Sequence, residues 1–382
     1  MKSQNHAYVP ELDQLRGLAA LLVLYYHSIQ RGFYAMGNDG WIVGGSPLET
    51  LVYEGHTAVS LFLVLSGFLL ARGLIGKQVA YGKFLKNRAL RVLPLMVFLV
   101  VFAIYGSNDY SLAELIAPFL LLTNTPIVFA DQTELTGTLW TITVLFQFYL
   151  IAPLLFVFMA RVGPWRFLLP AMALVFIVKC MVLYANRNDG NELFIISYYS
   201  IVGRLNQFLV GLALAVLWPA LMRLLATRWA GALALAASFA AILAYCARLN
   251  AAGGIMEWRT WHVVVPEIEA LLWAAFIAGF TAARPLALPW LGRVTAGVGL
   301  ISYSLYIFHW PIHVIAWNVF GTDEPLMLDT LRDAAWFTTL VVLPASLLVA
   351  GLSYWCIERP FLMLRSRYVA PEPAPAELRK AA

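Results

Sequence analysis

Residues 11–31 read ELDQLRGLAALLVLYYHSIQR. The stretch predicts a helix that begins in water and runs into a membrane, because about 20 mostly apolar residues are enough to cross one. Arg16 and His27 lie along one side of it. Eleven steps at ~100° each come to ~1100°, only ~20° past three full turns, so the two side chains share a face ~16 Å apart along the axis. Ionisable groups are costly in hydrocarbon and mark a site or a pathway. The plainer alternative is a snorkelling arginine plus a hydrogen-bonded structural histidine.

The rest of the chain agrees with a membrane setting. Its 382 residues are 61% hydrophobic and 12% charged, with mean hydropathy +0.76. Soluble domains are about a quarter charged, and these apolar runs are too long for barrel strands. A formal charge of +5 fits the excess of basic residues in cytoplasmic loops, so the partner implied is the lipid bilayer and not nucleic acid. The three cysteines form no CxxC, which leaves neither a disulfide framework nor a zinc site. No A-x-A cleavage pattern follows the first apolar run, so it reads as an uncleaved span.

Ten spans are expected, near 12–31, 57–76, 92–107, 138–160, 166–185, 197–217, 229–247, 265–282, 295–317 and 334–356. An eleventh apolar stretch, 112–129, is interrupted by Glu114, Pro118 and Asn124. If it does not cross and the N-terminus is cytoplasmic, most of the 26 basic residues fall inside, and Asp323, Glu324, Asp329 and Asp333 fall outside. If it does cross, every later basic loop lies outside. The fold class expected is therefore all-α: a polytopic membrane protein with ten transmembrane helices, one re-entrant or surface-lying segment and both termini cytoplasmic. Residues 1–361 form one membrane domain. The tail 362–382, which contains PEPAPAELRK, is expected to be disordered.

Polar residues inside the spans are the site candidates. Ser66-Gly67 is a small pair that admits a close helix or a ligand. Lys83, Lys86, Arg88 and Arg91 recur every two or three residues ahead of the third span; they serve as a headgroup anchor, a phosphate clamp, or both. Gln147 lies within the fourth span, near Trp140 and Thr141, and its amide needs a partner. Arg204, with Tyr198, Tyr199, Asn206 and Gln207, needs a cavity or a counter-charge, which Glu267 or Glu269 could supply. Lys179 reads as snorkelling. His309 and His313 are four apart, but Pro311 separates them and no third ligand accompanies them, so no metal is expected. Counted along straight helices, His27 and His309 sit ~22 Å and ~21 Å up from their helix starts and share a level in the outer half.

In order along the chain, LDQLRGLAALLVLYYH (12–27), LFLVLSGFLL (61–70), FLKNRALRVLP (84–94), LWTITVLFQFYLIAPLL (139–155), GRLNQFLVGLALA (203–215), ISYSLYIFHWPI (301–312) and IERPF (357–361) resemble the acyltransferase family 3 membrane proteins. The resemblance implies a ten-helix core that moves an acyl group, usually acetyl, from cytoplasmic acyl-CoA to a hydroxyl of a sugar or surface glycan, in a bacterial inner membrane. It matches Arg16 and His27 to the family's basic-residue-and-histidine pair. Arg88 and Arg91 match its arginine-rich third-span entry, and Ser66 and Gly67 its serine-glycine motif. Two positions depart from the pattern: Ser60 and Leu145 stand where many members carry a carboxylate.

On this basis His27 is expected to act as general base, since a histidine works near neutrality. Arg16, Arg88 and Arg91, with Ser66 and Gly67 nearby, would receive acyl-CoA. Trp140, Gln147, Arg204, Tyr303 and His309 would face the acceptor, with Tyr306 and Trp310 as further aromatic surfaces. Two rival classes stay open: a secondary transporter or flippase using the same buried charges, and a non-catalytic protein with the same fold.

Overall fold

The computed structural model describes residues 9–106, 112–125, 137–255, 263–283, 289–320 and 330–369. These are almost entirely helical. Among the described residues, eight helices are long and apolar enough to cross a membrane, and a pair bent by 73°, Trp290–Leu300 and Ser302–Phe320, passes the same test when its two helices are taken together. Helix α1, Pro10–Ala35, has 26 residues but is more polar than these nine, because Glu11, Asp13, Gln14, Arg16, His27 and Arg31 interrupt its apolar run. Pro10 sits in its first turn, where the missing N–H has no helical partner to lose.

Around α1 the core helices are α2 (Pro47–Tyr53), α3 (Ala58–Leu74), α4 (Tyr81–Gly106), α5 (Leu112–Leu120), α6 (Leu139–Val162) and α7 (Pro164–Ala185). They continue with α8 (Gly190–Phe194), α9 (Ile201–Leu224), α10 (Arg228–Ala251), α11 (Val265–Ala283), α12 (Pro289–Leu300) and α13 (Ser302–Phe320). The last is a run from Leu331 to Met363 that includes two π-helical turns, Thr338–Val342 and Tyr354–Glu358. Helices α3 and α1 are buried at the centre, whereas α7 and α10 turn most of their surface outward, with Leu169, Leu174, Met181 and Leu233 exposed to the lipid side.

Two close approaches fix the centre. A Cβ on Gly67 would collide with the Phe208 carbonyl, and one on Gly211 with the Val64 carbonyl, so α3 and α9 meet backbone to backbone. Gly17 and Gly299 do the same for α1 and α12, against the carbonyls of Thr295 and Asp13. Glycine is needed at all four points because any side chain would force the helices apart.

The structure alters one expectation. The helix expected over 295–317 breaks at Ile301 into α12 and α13, so depths counted along a straight helix do not apply to His309. Helix α5 has nine residues, ~14 Å at 1.5 Å per residue, too short to cross ~30 Å of hydrocarbon. After it Leu121 takes φ +58°, and the chain doubles back so that Asn124 and Gln147 exchange hydrogen bonds at 3.0 and 3.2 Å. Asp323, Glu324 and Asp329 lie outside the described residues, as do positions 370–382 of the tail. Asp333 caps the helix that begins at Leu331.

Candidate active site

One cavity of about 280 Å³ lies between α1, α3, α4, α6, α13 and the end of the last span. Its entrance is cationic. Arg16, Arg88, Arg91 and Arg365 line it, with Asp13 and Glu358 as the only carboxylates in its wall. Arg16 pairs with Asp13 at 2.7 Å, and Arg91 lies 3.8 Å from Glu358. Arg88 packs over the rings of Phe84 and Tyr149, 5.2 Å from each centroid, and its Nε is buried without a partner among the described residues. Arginine at such an entrance suits phosphate, because the guanidinium presents paired donors and stays charged. Glu358 reaches the cavity from a π-helical turn, with Ser304 donating to it at 3.1 Å.

Further in, the wall turns apolar. Val59, Phe62, Leu63, Leu69, Ile142 and Leu145 line it, and Ser66 adds a hydroxyl that donates to the Phe62 carbonyl at 2.7 Å. The inner end is closed by Tyr306 and Thr141, whose hydroxyls are hydrogen bonded at 2.8 Å. One turn further along α13, ~5 Å on, come His309 and Trp310.

There His27 meets α13. His27 Nδ1 and His309 Nε2 are 2.9 Å apart, and the two rings stack with centroids 5.1 Å apart. His309 Nδ1 lies 2.7 Å from the Tyr306 carbonyl, which can only accept. That nitrogen therefore carries the proton, and in a neutral His309 the Nε2 is the acceptor. It follows that His27 donates through Nδ1 and leaves its own Nε2 as the basic nitrogen. His309 and His313 are buried at 1% exposure each, while His27 is only partly buried. Trp310 packs edge-on against His27 at 4.8 Å, and its indole N–H is buried with no partner among the described residues.

A second polar cluster lies across Tyr26. Its ring is 4.6 Å from His27 and 5.7 Å from His56. His56 Nε2 sits 3.0 Å from Glu54, and its Nδ1 sits 2.8 Å from the Tyr198 hydroxyl. Glu54 also accepts from Trp41 and Asn250. Nearby Arg204 is fully buried. It donates to the Tyr198 carbonyl at 2.6 Å and lies 3.5 Å from Glu269, which Ser60 and Tyr245 also reach. Ser60 thus marks the place where Glu269, from α11, brings a carboxylate to α3. Lys179, expected to snorkel, is buried and paired with Glu267 at 2.8 Å.

A family model described as an acyltransferase domain (acyltransferase family 3) matches residues 9–357. The chain belongs to that family. Among curated proteins, the chain is 27% identical over 397 residues to the putative peptidoglycan O-acetyltransferase YrhL of Bacillus subtilis, covering 94% of the present chain and 56% of that protein. It is 24% identical over 390 residues to the peptidoglycan O-acetyltransferase OatA of Listeria monocytogenes, covering 93% and 56%. Against the O-acetyltransferase OatA of Staphylococcus aureus it is 22% identical over 393 residues, covering 94% and 58%. The chain therefore spans little more than half the length of the relatives it matches. No solved structure matches it.

Of the residues singled out in the sequence, the structure gathers Arg16, Ser66, Arg88, Arg91 and Tyr303 around the cavity. It brings His27 and His309 together one turn beyond the cavity's inner end. Four others lie away from the cavity wall. Gly67 faces the α9 backbone and serves helix packing. Gln147 is satisfied by Asn124 and the Leu121 carbonyl, so it holds the doubled-back segment in place. Arg204 is enclosed in its own network, and Trp140 packs between Tyr198, Tyr199 and the Arg204 guanidinium. No His/Cys/Asp/Glu group among the described residues has a metal-binding arrangement. Sequence reasoning passed over Glu54, His56, Glu358 and Arg365 as site residues. A lone histidine at the head of an apolar run and a Glu-Arg pair at the end of another were the available signals.

Proposed function

We propose that this acyltransferase moves an acyl group, acetyl in the simplest case, from cytoplasmic acyl-CoA to a hydroxyl of a sugar or cell-surface glycan, with His27 as general base. The observation that carries this is a single cavity leading from four arginines to the helix turn just below the His27–His309 pair. The names of the relatives, O-acetyltransferases of peptidoglycan, make a polymeric surface glycan the first acceptor to try.

The residues divide the work as follows. Arg16, Arg88 and Arg91 bind the donor's phosphates, while the apolar wall past Ser66 takes the pantetheine arm. The Tyr306–Thr141 contact must open for the thioester to reach His27. His27 Nε2 then removes the acceptor hydroxyl's proton, and the oxygen attacks the thioester carbonyl. Trp310 Nε1 donates to the oxyanion that forms, a charge that preorganised donors stabilise strongly where water is excluded. As the C–S bond breaks, the leaving thiolate takes the proton from His27. His309 fixes the His27 tautomer, a task for which Leu145 offers no carboxylate. Tyr303 is tied to the Val92 carbonyl at 2.8 Å, with Arg91 over its ring at 6.0 Å, and acts as part of the donor wall.

Ten crossings follow if α1 is added to the nine apolar ones, with both termini and the arginine entrance cytoplasmic and the membrane a bacterial inner membrane. Reporter fusions at each terminus test that orientation. The function itself is tested by measuring ester-linked acetyl on surface polysaccharide, by mass spectrometry, in cells carrying wild type, His27→Ala or no copy. Acetylation is expected with wild type alone. Equal acetylation in all three excludes the proposal.

A further inference from the structure

The arginine entrance is completed by chain beyond the family match, which ends at residue 357. After the last span the chain folds back against the start of α4. Asn87 Nδ2 donates to the Ser366 carbonyl at 2.6 Å, and Ser366 N donates to Asn87 Oδ1 at 3.0 Å. Ala80 N donates to the Tyr368 carbonyl at 2.9 Å, and Val369 forms an antiparallel bridge with Val79. Tyr368 is 3% exposed. Its ring packs on Phe84, and its hydroxyl accepts from Arg88 Nη2 at 3.0 Å. Both backbone and side-chain bonds therefore fix this segment beside the cavity.

Its charge is unbalanced. The cavity wall holds four guanidiniums and two carboxylates, so two positive charges are in excess. The carboxylates are taken by Arg16 and Arg91. Neither Arg88 nor Arg365 has a carboxylate within 4.0 Å among the described residues. Arg365 uses its Nε to donate to the Leu362 carbonyl at 3.0 Å, which orients the head and leaves both terminal nitrogens without a hydrogen-bond partner among the described residues. Burial, then the neighbouring Arg91 and Arg88, lowers the Arg365 pKa, the sign of a cation crowded by like charges. An entrance built this way is complementary to an anion carrying at least two charges.

We propose that residues 362–369 form part of the acyl-donor site: Arg365 binds a phosphate of the acyl-CoA nucleotide, and Tyr368 positions Arg88 to bind another. This rests on the acyl-CoA reading above. The bridge to Val79 and the Asn87–Ser366 pair are what hold the segment in place. A rim guanidinium on phosphate is a charge-assisted contact, so its loss is expected to weaken binding about 5- to 30-fold.

The experiment is calorimetric titration of CoA into the full-length protein in detergent, for wild type, Arg365→Ala, Arg365→Lys and Tyr368→Phe. Melting temperatures are measured with and without CoA. Arg365→Ala is expected to bind 5- to 30-fold more weakly, with an unchanged ligand-free melting temperature and a smaller CoA-induced rise. Arg365→Lys, which keeps the charge, is expected within about 3-fold of wild type. Tyr368→Phe, which keeps the ring packing, is expected to weaken binding by a few fold. Wild-type affinity in Arg365→Ala overturns the inference while leaving the donor reading intact. Affinity lost only in step with ligand-free melting temperature marks the segment as structural and also overturns it. Absence of CoA binding by wild type removes the donor reading and the inference together.

Discussion

Replacing His309 by alanine tests how the structure prepares His27. In the wild type, the Tyr306 carbonyl fixes the His309 proton, and His309 Nε2 accepts from His27 Nδ1 at 2.9 Å. Without His309 the His27 Nδ1–H, which faces the buried α13 side of the pair, loses its acceptor. An unsatisfied buried donor costs about 1–3 kcal/mol, and each 1.36 kcal/mol is tenfold in rate. The ring also becomes free to place its proton on Nε2, which removes the base. The expected loss in kcat is thus about 5- to 150-fold, with CoA affinity unchanged because His309 lies beyond the cavity wall. Purified His309→Ala and His309→Gln would be compared for acetyl-CoA turnover and CoA binding. The glutamine carbonyl can accept from His27, so His309→Gln is expected to recover part of the rate. Wild-type turnover in His309→Ala, or a loss confined to CoA affinity, would refute the orientation argument.

Other substitutions separate other roles. Trp310→Phe keeps the ring against His27 and deletes the partnerless N–H, so kcat should fall about 100-fold with little change in donor affinity; acetyl-CoA turnover checks this. Glu269→Ala strips a fully buried Arg204 of its counter-charge, and stability should fall by about 3–5 kcal/mol, read by thermal or denaturant unfolding in detergent. Gly67→Val drives a branched side chain into the Phe208 carbonyl. Folded yield on size exclusion should collapse, whereas a ligand-contact role would leave yield intact and change only binding.

What could be read from the sequence was local. The eleven-residue spacing put Arg16 and His27 on one face of α1, and in the structure that face runs from the cavity entrance to the His309 contact. Apolar run lengths gave the helices, and Glu114, Pro118 and Asn124 flagged a segment whose described helix is too short to cross. Most long-range pairings could not be read. Ser60 read as a missing carboxylate, yet Glu269 fills that place from 209 residues away. The span expected over 295–317 read as one helix, yet the chain bends at Ile301, while α13 runs on through Pro311. Gln147 and Arg204 read as substrate-facing because polar groups in hydrocarbon need partners. Asn124 meets that need for Gln147 from inside the protein, and Glu269, one of the two carboxylates expected to balance Arg204, meets it for Arg204. Arg365 lay in a stretch whose composition pointed to a tail, and only the fold-back on Asn87 brings it to the cavity.

The most direct test of the central claim is acetyl-CoA turnover and binding by the purified protein, compared with His27→Ala and Arg91→Ala. Wild type is expected to bind and slowly hydrolyse acetyl-CoA, His27→Ala to bind without turnover, and Arg91→Ala to bind more weakly. Turnover by His27→Ala at the wild-type rate, or no acetyl-CoA binding by a folded wild type, would contradict that claim.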